Sequence, residues 1–214
     1  MPAHTTRPPR RGAALAVLAL TLTGCSVGVP LGGQEEEPVA EADTSDLTQG
    51  PVPDHPAAVA EEDLPGTLPA EDAPRTESIA RTALREVTSA ARVVDPDAEA
   101  ECVDEGENGQ FAFDCTVTYE GVDADYFYAE RPDGSVLENL LTIPVLRSVV
   151  EDDLRIEEDT EYVGCAMDDV EVAAGELAMS IPPYKCEYLD TETQEIEPVE
   201  ADVDPDGTVA FYSR

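Results

Sequence analysis

With 214 residues, the chain is long enough for one or two small domains. Its 12 Lys and Arg stand against 48 Asp and Glu, a formal charge of −36 at neutral pH. A charge of that sign and size repels nucleic-acid phosphates and anionic lipid headgroups, which excludes nucleic acid as a partner. It serves solubility in a crowded envelope, with recognition of a cationic partner as its alternative use.

Residues 1–24 carry Arg7, Arg10 and Arg11 and no acid. Arg10 and Arg11 close a basic stretch. Residues 12–21, GAALAVLALT, are apolar but too few to span a bilayer as a helix. Leu22, Thr23, Gly24 and Cys25 follow. Small residues before the cysteine let the backbone enter a narrow peptidase site, and the thiol is a nucleophile able to take diacylglycerol. This run resembles the lipobox of bacterial lipoproteins at all four positions. The rival readings are an ordinary signal peptide with a chance cysteine and an uncleaved anchor. The lipobox reading implies that 1–24 is a signal peptide and that Cys25 is lipidated. The mature chain is then held on the cell membrane, facing away from the cytoplasm. Two or more acyl chains, palmitate among them, anchor stably where one is marginal. Loss of the three arginines leaves about 9 Lys and Arg against all 48 acids, a charge of about −39.

Residues 25–75 are rich in Pro, Glu, Asp, Ala and Gly and hold no aromatic residue. Such a stretch buries too little apolar surface to offset its ordering entropy, so the composition predicts a disordered acidic tether. A flexible coil of about 50 residues spans on the order of 40 Å, more when charge and proline extend it. His55 is expected to be solvated here.

All seven Tyr and four Phe lie at or beyond Phe111. The folded part is therefore expected from about Thr76, a candidate N-cap with Glu77 in the first turn. Ile79, Ala83, Leu84, Val87, Ala90 and Ala91 form a helical apolar stripe, with Arg81, Arg85 and Glu86 off it. Asp95-Pro96 is expected to end the helix. Phe111, Phe113, Cys115, Val117 and Tyr119 alternate with Ala112, Asp114, Thr116 and Thr118, the pattern of a strand with one buried face. Residues 125–129, DYFYA, read as a second strand. Arg131-Pro132-Asp133-Gly134 reads as a turn into a returning strand at 135–137.

The series then recurs. Thr142 is a candidate cap for a second helix, with Pro144 in its first turn. Leu146, Val149, Val150 and Leu154 form its stripe. Leu177, Met179 and Ile181 alternate, as do Tyr184, Cys186 and Tyr188. Pro182-Pro183 shifts the phase by one, which suggests a bulge or an edge strand. Pro132-Asp133-Gly134-Ser135-Val136 returns as Pro205-Asp206-Gly207-Thr208-Val209, each near the end of a helix, Cys, Cys, hairpin series. The expected fold is α+β: two tandem repeats, 76–142 and 143–214, each an N-terminal helix on a small antiparallel sheet with one internal disulfide. The competing reading is one α+β domain with two unrelated turns.

Five cysteines are an odd number. Lipidation of Cys25 leaves Cys102, Cys115, Cys165 and Cys186, an even set in an oxidising compartment, for which three connectivities exist. Equivalent repeats should carry equivalent bonds, and duplication therefore selects Cys102–Cys115 and Cys165–Cys186. A zinc site is the rival use of these thiols. It lacks CxxC spacing, and the only histidines, His4 and His55, lie outside the expected folded region.

The order of lipobox, acidic tether, helix, Cys, glycine-containing strand, Cys and hairpin resembles a family of actinobacterial lipoproteins with a small two-cysteine domain of unknown function. The resemblance covers Leu22 to Cys25 and about 140 C-terminal residues. It is carried by Cys102, Gly109, Phe113 and Cys115, then by Cys165, Gly175 and Cys186. It implies export and a stapled domain, with no activity to carry over. In architecture the chain also resembles β-lactamase inhibitory proteins, tandem helix-plus-sheet repeats that bind through an aromatic-rich sheet face. This chain has no Trp, so the likeness extends to the fold alone.

With no histidine after His55, His-based acid–base chemistry has no candidate in the folded part. A Ser–Lys dyad would need Lys185, the only lysine, beside Cys186. No glycine-rich phosphate loop is present. Asp202-Val203-Asp204-Pro205-Asp206-Gly207 resembles the start of a calcium loop, but Ser213 stands where the bidentate Glu belongs, so a solvated turn is the preferred reading. No cofactor is expected. The expected function is a membrane-tethered, non-enzymatic interaction module whose partner is an extracytoplasmic protein or a cell-wall component. The alternatives are an inhibitor of an extracytoplasmic enzyme, using Tyr126, Tyr128, Tyr188 or Tyr212, and a hydrolase working with carboxylates alone.

Overall fold

Sheet pairing follows from the alternating segments. The computed structural model describes residues 42–65, 73–106, 111–175 and 183–213. In chain order they form β1 (Thr48–Gln49), α1 (Arg75–Ala91), β2 (Glu99–Asp104), β3 (Phe111–Tyr119), β4 (Val122–Glu130), β5 (Val136–Leu140) and β6 (Thr142–Leu146). There follow α2 (Arg147–Glu158), β7 (Tyr162–Cys165), β8 (Val170–Ala174), β9 (Tyr184–Leu189), β10 (Ile196–Val203) and β11 (Val209–Ser213). The fold is mixed, with antiparallel sheet predominating among the described residues.

One sheet has the order β2-β3-β4-β5 and another β1-β7-β9-β10-β11, while β6 and β8 form a ribbon of their own. Strand β3 alternates as expected: Phe113, Cys115, Val117 and Tyr119 are buried, and Asp114, Thr116 and Thr118 are exposed. Helix α1 lays Ile79, Ala83, Val87 and Ala91 on that face. The second core gathers Val150 and Leu154 of α2 with Val163, Cys186, Val199 and Ala201 of the larger sheet. The two Pro-Asp-Gly turns close alike. Arg131 N–H donates to Ser135 O and Asp204 N–H to Thr208 O, both at 2.8 Å. Asp133 and Asp206 each accept the N–H two residues on at 2.9 Å.

Several expectations need correction. Part of the predicted tether is folded: Thr48 and Gln49 pair with Val163 and Tyr162, and Gly50 N–H donates to Glu161 O at 2.9 Å. Leu47 lies against Gly164, and Ala57 packs on the first core. Composition missed this because a short segment can borrow an existing sheet edge and core without burying a core of its own. Thr76 is not the cap of α1; Pro74 precedes the helix, and its fixed φ of −55° suits that place. The helix ends before Asp95, at Arg92, whose φ of 63° is left-handed.

Thr142 and Pro144 do not begin α2. They lie in β6, opposite Ala174 and Val172, and the helix starts at Arg147. A two-stranded ribbon leaves each strand an unpaired side, where a proline is tolerated. The run Ile143, Pro144, Val145, Leu146 is buried throughout, which suits a covered strand better than an amphipathic first turn. Pro183 precedes β9, and β9 lies between β7 and β10, not at an edge.

Most of the first core precedes 142/143 and most of the second follows it, with a few residues exchanged. Leu146 and Val149 belong to the first cluster, Ala90 to the second, and 40–214 is one compact unit. Leu22 to Cys25, Gly109, Leu177, Met179, Ile181 and Pro182 lie outside the described residues.

Candidate functional site

The disulfides are those that the repeated pattern selects. Cys102 and Cys115 are directly opposed in β2 and β3, with Cα atoms 4.0 Å apart. Cys165 and Cys186 are directly opposed in β7 and β9, at 4.1 Å. Cys115 and Cys186 are almost wholly buried, which makes the bonds structural staples.

Several concavities among the described residues carry polar groups; in one, of about 400 Å³, the Arg92 and Asp153 charges already pair with each other. Another, about 430 Å³, lies beside Cys165–Cys186 and is lined by Asp46, Arg147, Glu151, Lys185 and Glu187 among others. Most of its charge is already used inside the protein. Arg147 pairs with Asp169 and donates to Met167 O. Glu151 accepts the Cys165 N–H at 3.3 Å and lies 3.6 Å from Arg155. Lys185 is exposed on the strand face opposite Cys186, and no serine lines the groove. The sequence-level Ser–Lys possibility therefore has no partner residue there.

The smaller cleft, about 280 Å³, lies where the two halves meet. Helix α1 supplies Glu86, Ser89 and Ala90, one turn apart on its rim. Tyr126 of β4 and Leu140 of β5 stand opposite each other in register and supply the inner wall, with Glu138 beyond. Pro205 and Asp206 of the second turn close the far side. Tyr126 is only 1% exposed, and its hydroxyl meets no hydrogen-bond partner among the described residues. Burial raises its pKa, reinforced by the carboxylates of Glu138 and Glu86. Burial also raises Glu86, and the neighbouring Glu138 charge adds to the shift. Asp206 is held low by the Thr208 N–H and hydroxyl, which favour the carboxylate. The cleft thus sets a buried phenol beside carboxylates, two of which already feel positive charge, Glu86 from Arg85 and Asp206 from Arg92.

The four tyrosines weighed for an aromatic binding face are not one surface. Tyr126 is in the first core and Tyr188 packs on the second; Tyr128 tilts against Phe113 at 6.2 Å, and Tyr212 is exposed. Among the described residues no group of three or more His, Cys, Asp or Glu is placed to hold a metal ion. Asp202 lies in β10, while Asp204 and Asp206 build the turn. His55 is exposed, and no described helix is long and apolar enough to cross a membrane.

Sequence reasoning named Tyr126 as a surface aromatic and Glu86 as a solvent-facing helix residue. It did not join them, because no local period links residues brought together across two elements. Compared with family models, with characterised proteins and with solved structures, the chain has no match.

Proposed function

We propose that this chain is a lipoprotein tethered to the outer side of the cell membrane through Cys25, and that its folded part is a non-enzymatic binding module. The basic stretch, the apolar stretch and the Leu22-Thr23-Gly24-Cys25 run support the anchor. The observation that carries the binding role is the cleft: the Tyr126 hydroxyl is buried without a partner beside Glu86 and Asp206. Buried polar atoms are ordinarily satisfied, and a concavity with apolar wall and a few polar groups is where a ligand ordinarily binds. The partner is an extracytoplasmic protein or a cell-wall component. The module arose by duplication of a helix-plus-sheet unit with one disulfide. Supporting that, β2-β3-β4-β5 and β7-β9-β10-β11 run in the same antiparallel order, with a disulfide between the first two strands and a Pro-Asp-Gly turn before the last in each.

Two measurements test this. Fatty-acid labelling should mark the native chain and not a Cys25→Ser variant; equal labelling of both removes the anchor. The full chain, used as bait in native envelope, should capture one component stoichiometrically. Turnover in a broad hydrolase screen would overturn the non-enzymatic reading.

A further inference from the structure

We infer that the outer edge of β11 docks an extended segment of a cationic partner polypeptide, which adds to the sheet as a further strand and puts an apolar side chain into the groove beside Phe211. This surface is separate from the Tyr126 cleft and does not depend on it. Backbone geometry leaves the edge open. At the second turn Asp204 N–H donates to Thr208 O at 2.8 Å. In an antiparallel pair, bonded and unbonded positions alternate. Beyond Asp204 and Thr208, Ala210 and Tyr212 therefore turn their backbone groups toward β10, while Val209, Phe211 and Ser213 turn theirs outward. Among the described residues no backbone group outside β10 pairs with β11.

The sequence leaves this edge unguarded as well. Unpaired edges are templates for pairing, and proteins ordinarily blunt them with charge, proline or shortness. In the other sheet, edge strand β2 carries Glu99, Glu101 and Asp104, and edge strand β5 carries Glu138. The far edge of the larger sheet, β1, is two residues long. Strand β11, Val209-Ala210-Phe211-Tyr212-Ser213, has neither charge nor proline.

The concavity of about 400 Å³ adjoins this strand, with Pro56, Ala57, Ala58, Ile156, Val209 and Phe211 as its apolar wall. Val209 and Phe211 are half-buried on the core face of β11, opposite Val203 and Ala201. An added strand, about 4.8 Å away, places the residue opposite Phe211 on that same face, where its side chain enters the groove. Its two neighbours lie on the other face, beside Ala210 and Tyr212. Ala210 stands opposite the exposed Asp202 and is small enough to leave that carboxylate within reach of a long cationic side chain. In the groove Arg92 and Asp153 satisfy each other, which leaves the charge of the exposed Glu157. These carboxylates and the formal charge of −36 select a cationic strand and disfavour a second copy of this chain. Main-chain bonds supply affinity in such a mode, and the pocket for alternate side chains supplies specificity.

The test is calorimetric titration of the full chain with acetyl-Lys-Val-Lys-Phe-Lys-Val-Lys-amide at about 0.15 M salt, where distant exposed charges are screened. One peptide should bind per chain, and acetyl-Glu-Val-Glu-Phe-Glu-Val-Glu-amide should not bind. Ser213→Pro removes an outward N–H at an exposed position and no bond to β10, so the unfolding temperature should hold while binding weakens about threefold to tenfold. Ala58→Lys sets a cation on the exposed lip of the groove and should weaken binding as well. In sedimentation the chain alone should be a monomer.

No binding of the cationic peptide, equal binding of the acidic one, or binding undiminished in both variants would overturn the inference. A dimer of the chain alone that Ser213→Pro dissociates would overturn it too, since the edge would then serve a second copy. An envelope component captured regardless of both substitutions would overturn it while leaving the module reading intact. Hydrolase turnover, by contrast, bears on the module reading alone.

Discussion

Gly207, in the second hairpin turn, lies against the main-chain oxygen of Ala90 at the end of α1: a Cβ on Gly207 would stand 1.9 Å from it. The matching Gly134 of the first turn has the same left-handed backbone, φ 80° against 82°, but nothing within 4 Å of its missing Cβ. Gly134→Ala should therefore cost only the left-handed penalty, about 1–2 kcal/mol. Gly207→Ala should cost that plus the displacement of α1, about 1–3 kcal/mol more. Urea unfolding of the two variants compares them directly, and equal losses would mean that the turn does not dock on the helix.

Arg92 ties the same region together. Its guanidinium grips Asp153 with two nitrogens, one at 2.8 Å, and donates to Ala57 O at 2.8 Å and Gly207 O at 3.3 Å. Both side chains of the ion pair are nearly buried, at 12% and 11% exposure. Arg92→Met would strand the Asp153 carboxylate, with a loss of about 3–5 kcal/mol. Removing both charges in Arg92→Met/Asp153→Leu should restore much of it. A double variant no better than the single one would show that the contacts to Ala57 and Gly207 matter more than the pair.

Because Ala90 belongs to the second core and Leu146 to the first, the two halves should unfold together. Replacing Cys102 and Cys115 by alanine removes a bond between residues 13 apart and should cost about 2–5 kcal/mol. The loss should lower one common transition, with Cys165–Cys186 retained in non-reducing peptide maps. Two resolved calorimetric transitions would show instead that each half is an independent domain.

The turn carboxylates set an acid limit. Asp133 lies below its ordinary 3.8 because the Ser135 hydroxyl and N–H bond its ionised form. Asp206 lies low because of the Thr208 N–H and hydroxyl. A carboxylate whose folded pKa is depressed contributes stability that is full above the unfolded value and is lost as pH falls through the folded one. Glu86 acts oppositely: its raised pKa means that ionisation above its ordinary 4.5 disfavours the fold. Denaturant midpoints should therefore fall steeply below about pH 4. In Asp133→Asn/Asp206→Asn that fall should be shallower, and in Glu86→Gln stability should decline less as pH rises past 4.5. An unchanged acid limb in the double Asn variant would refute the assignment.

What this chain's sequence determined by itself was local. The alternation from Phe111 to Tyr119 specified a one-faced strand, the stripe from Ile79 to Ala91 a helix, and the recurring Pro-Asp-Gly pentads two like turns. Recurrence also carried the disulfide pairing, since two similar series imply similar bonds. The tertiary structure decided what depends on distant neighbours. Thr142 and Pro144 match a helix start in isolation, yet the segment is a strand because β8 offers pairing and both sides of the run find apolar cover. Thr48 and Gln49 have no reason to be ordered until β7 presents an open edge. Gly134 and Gly207 are alike in sequence and backbone, and only one meets a helix. The cleft of Glu86, Tyr126 and Asp206 draws on three separate elements. Periodicity reports which face of one element is buried; it holds no information on which element covers that face, because the apolar contact that decides it is non-directional.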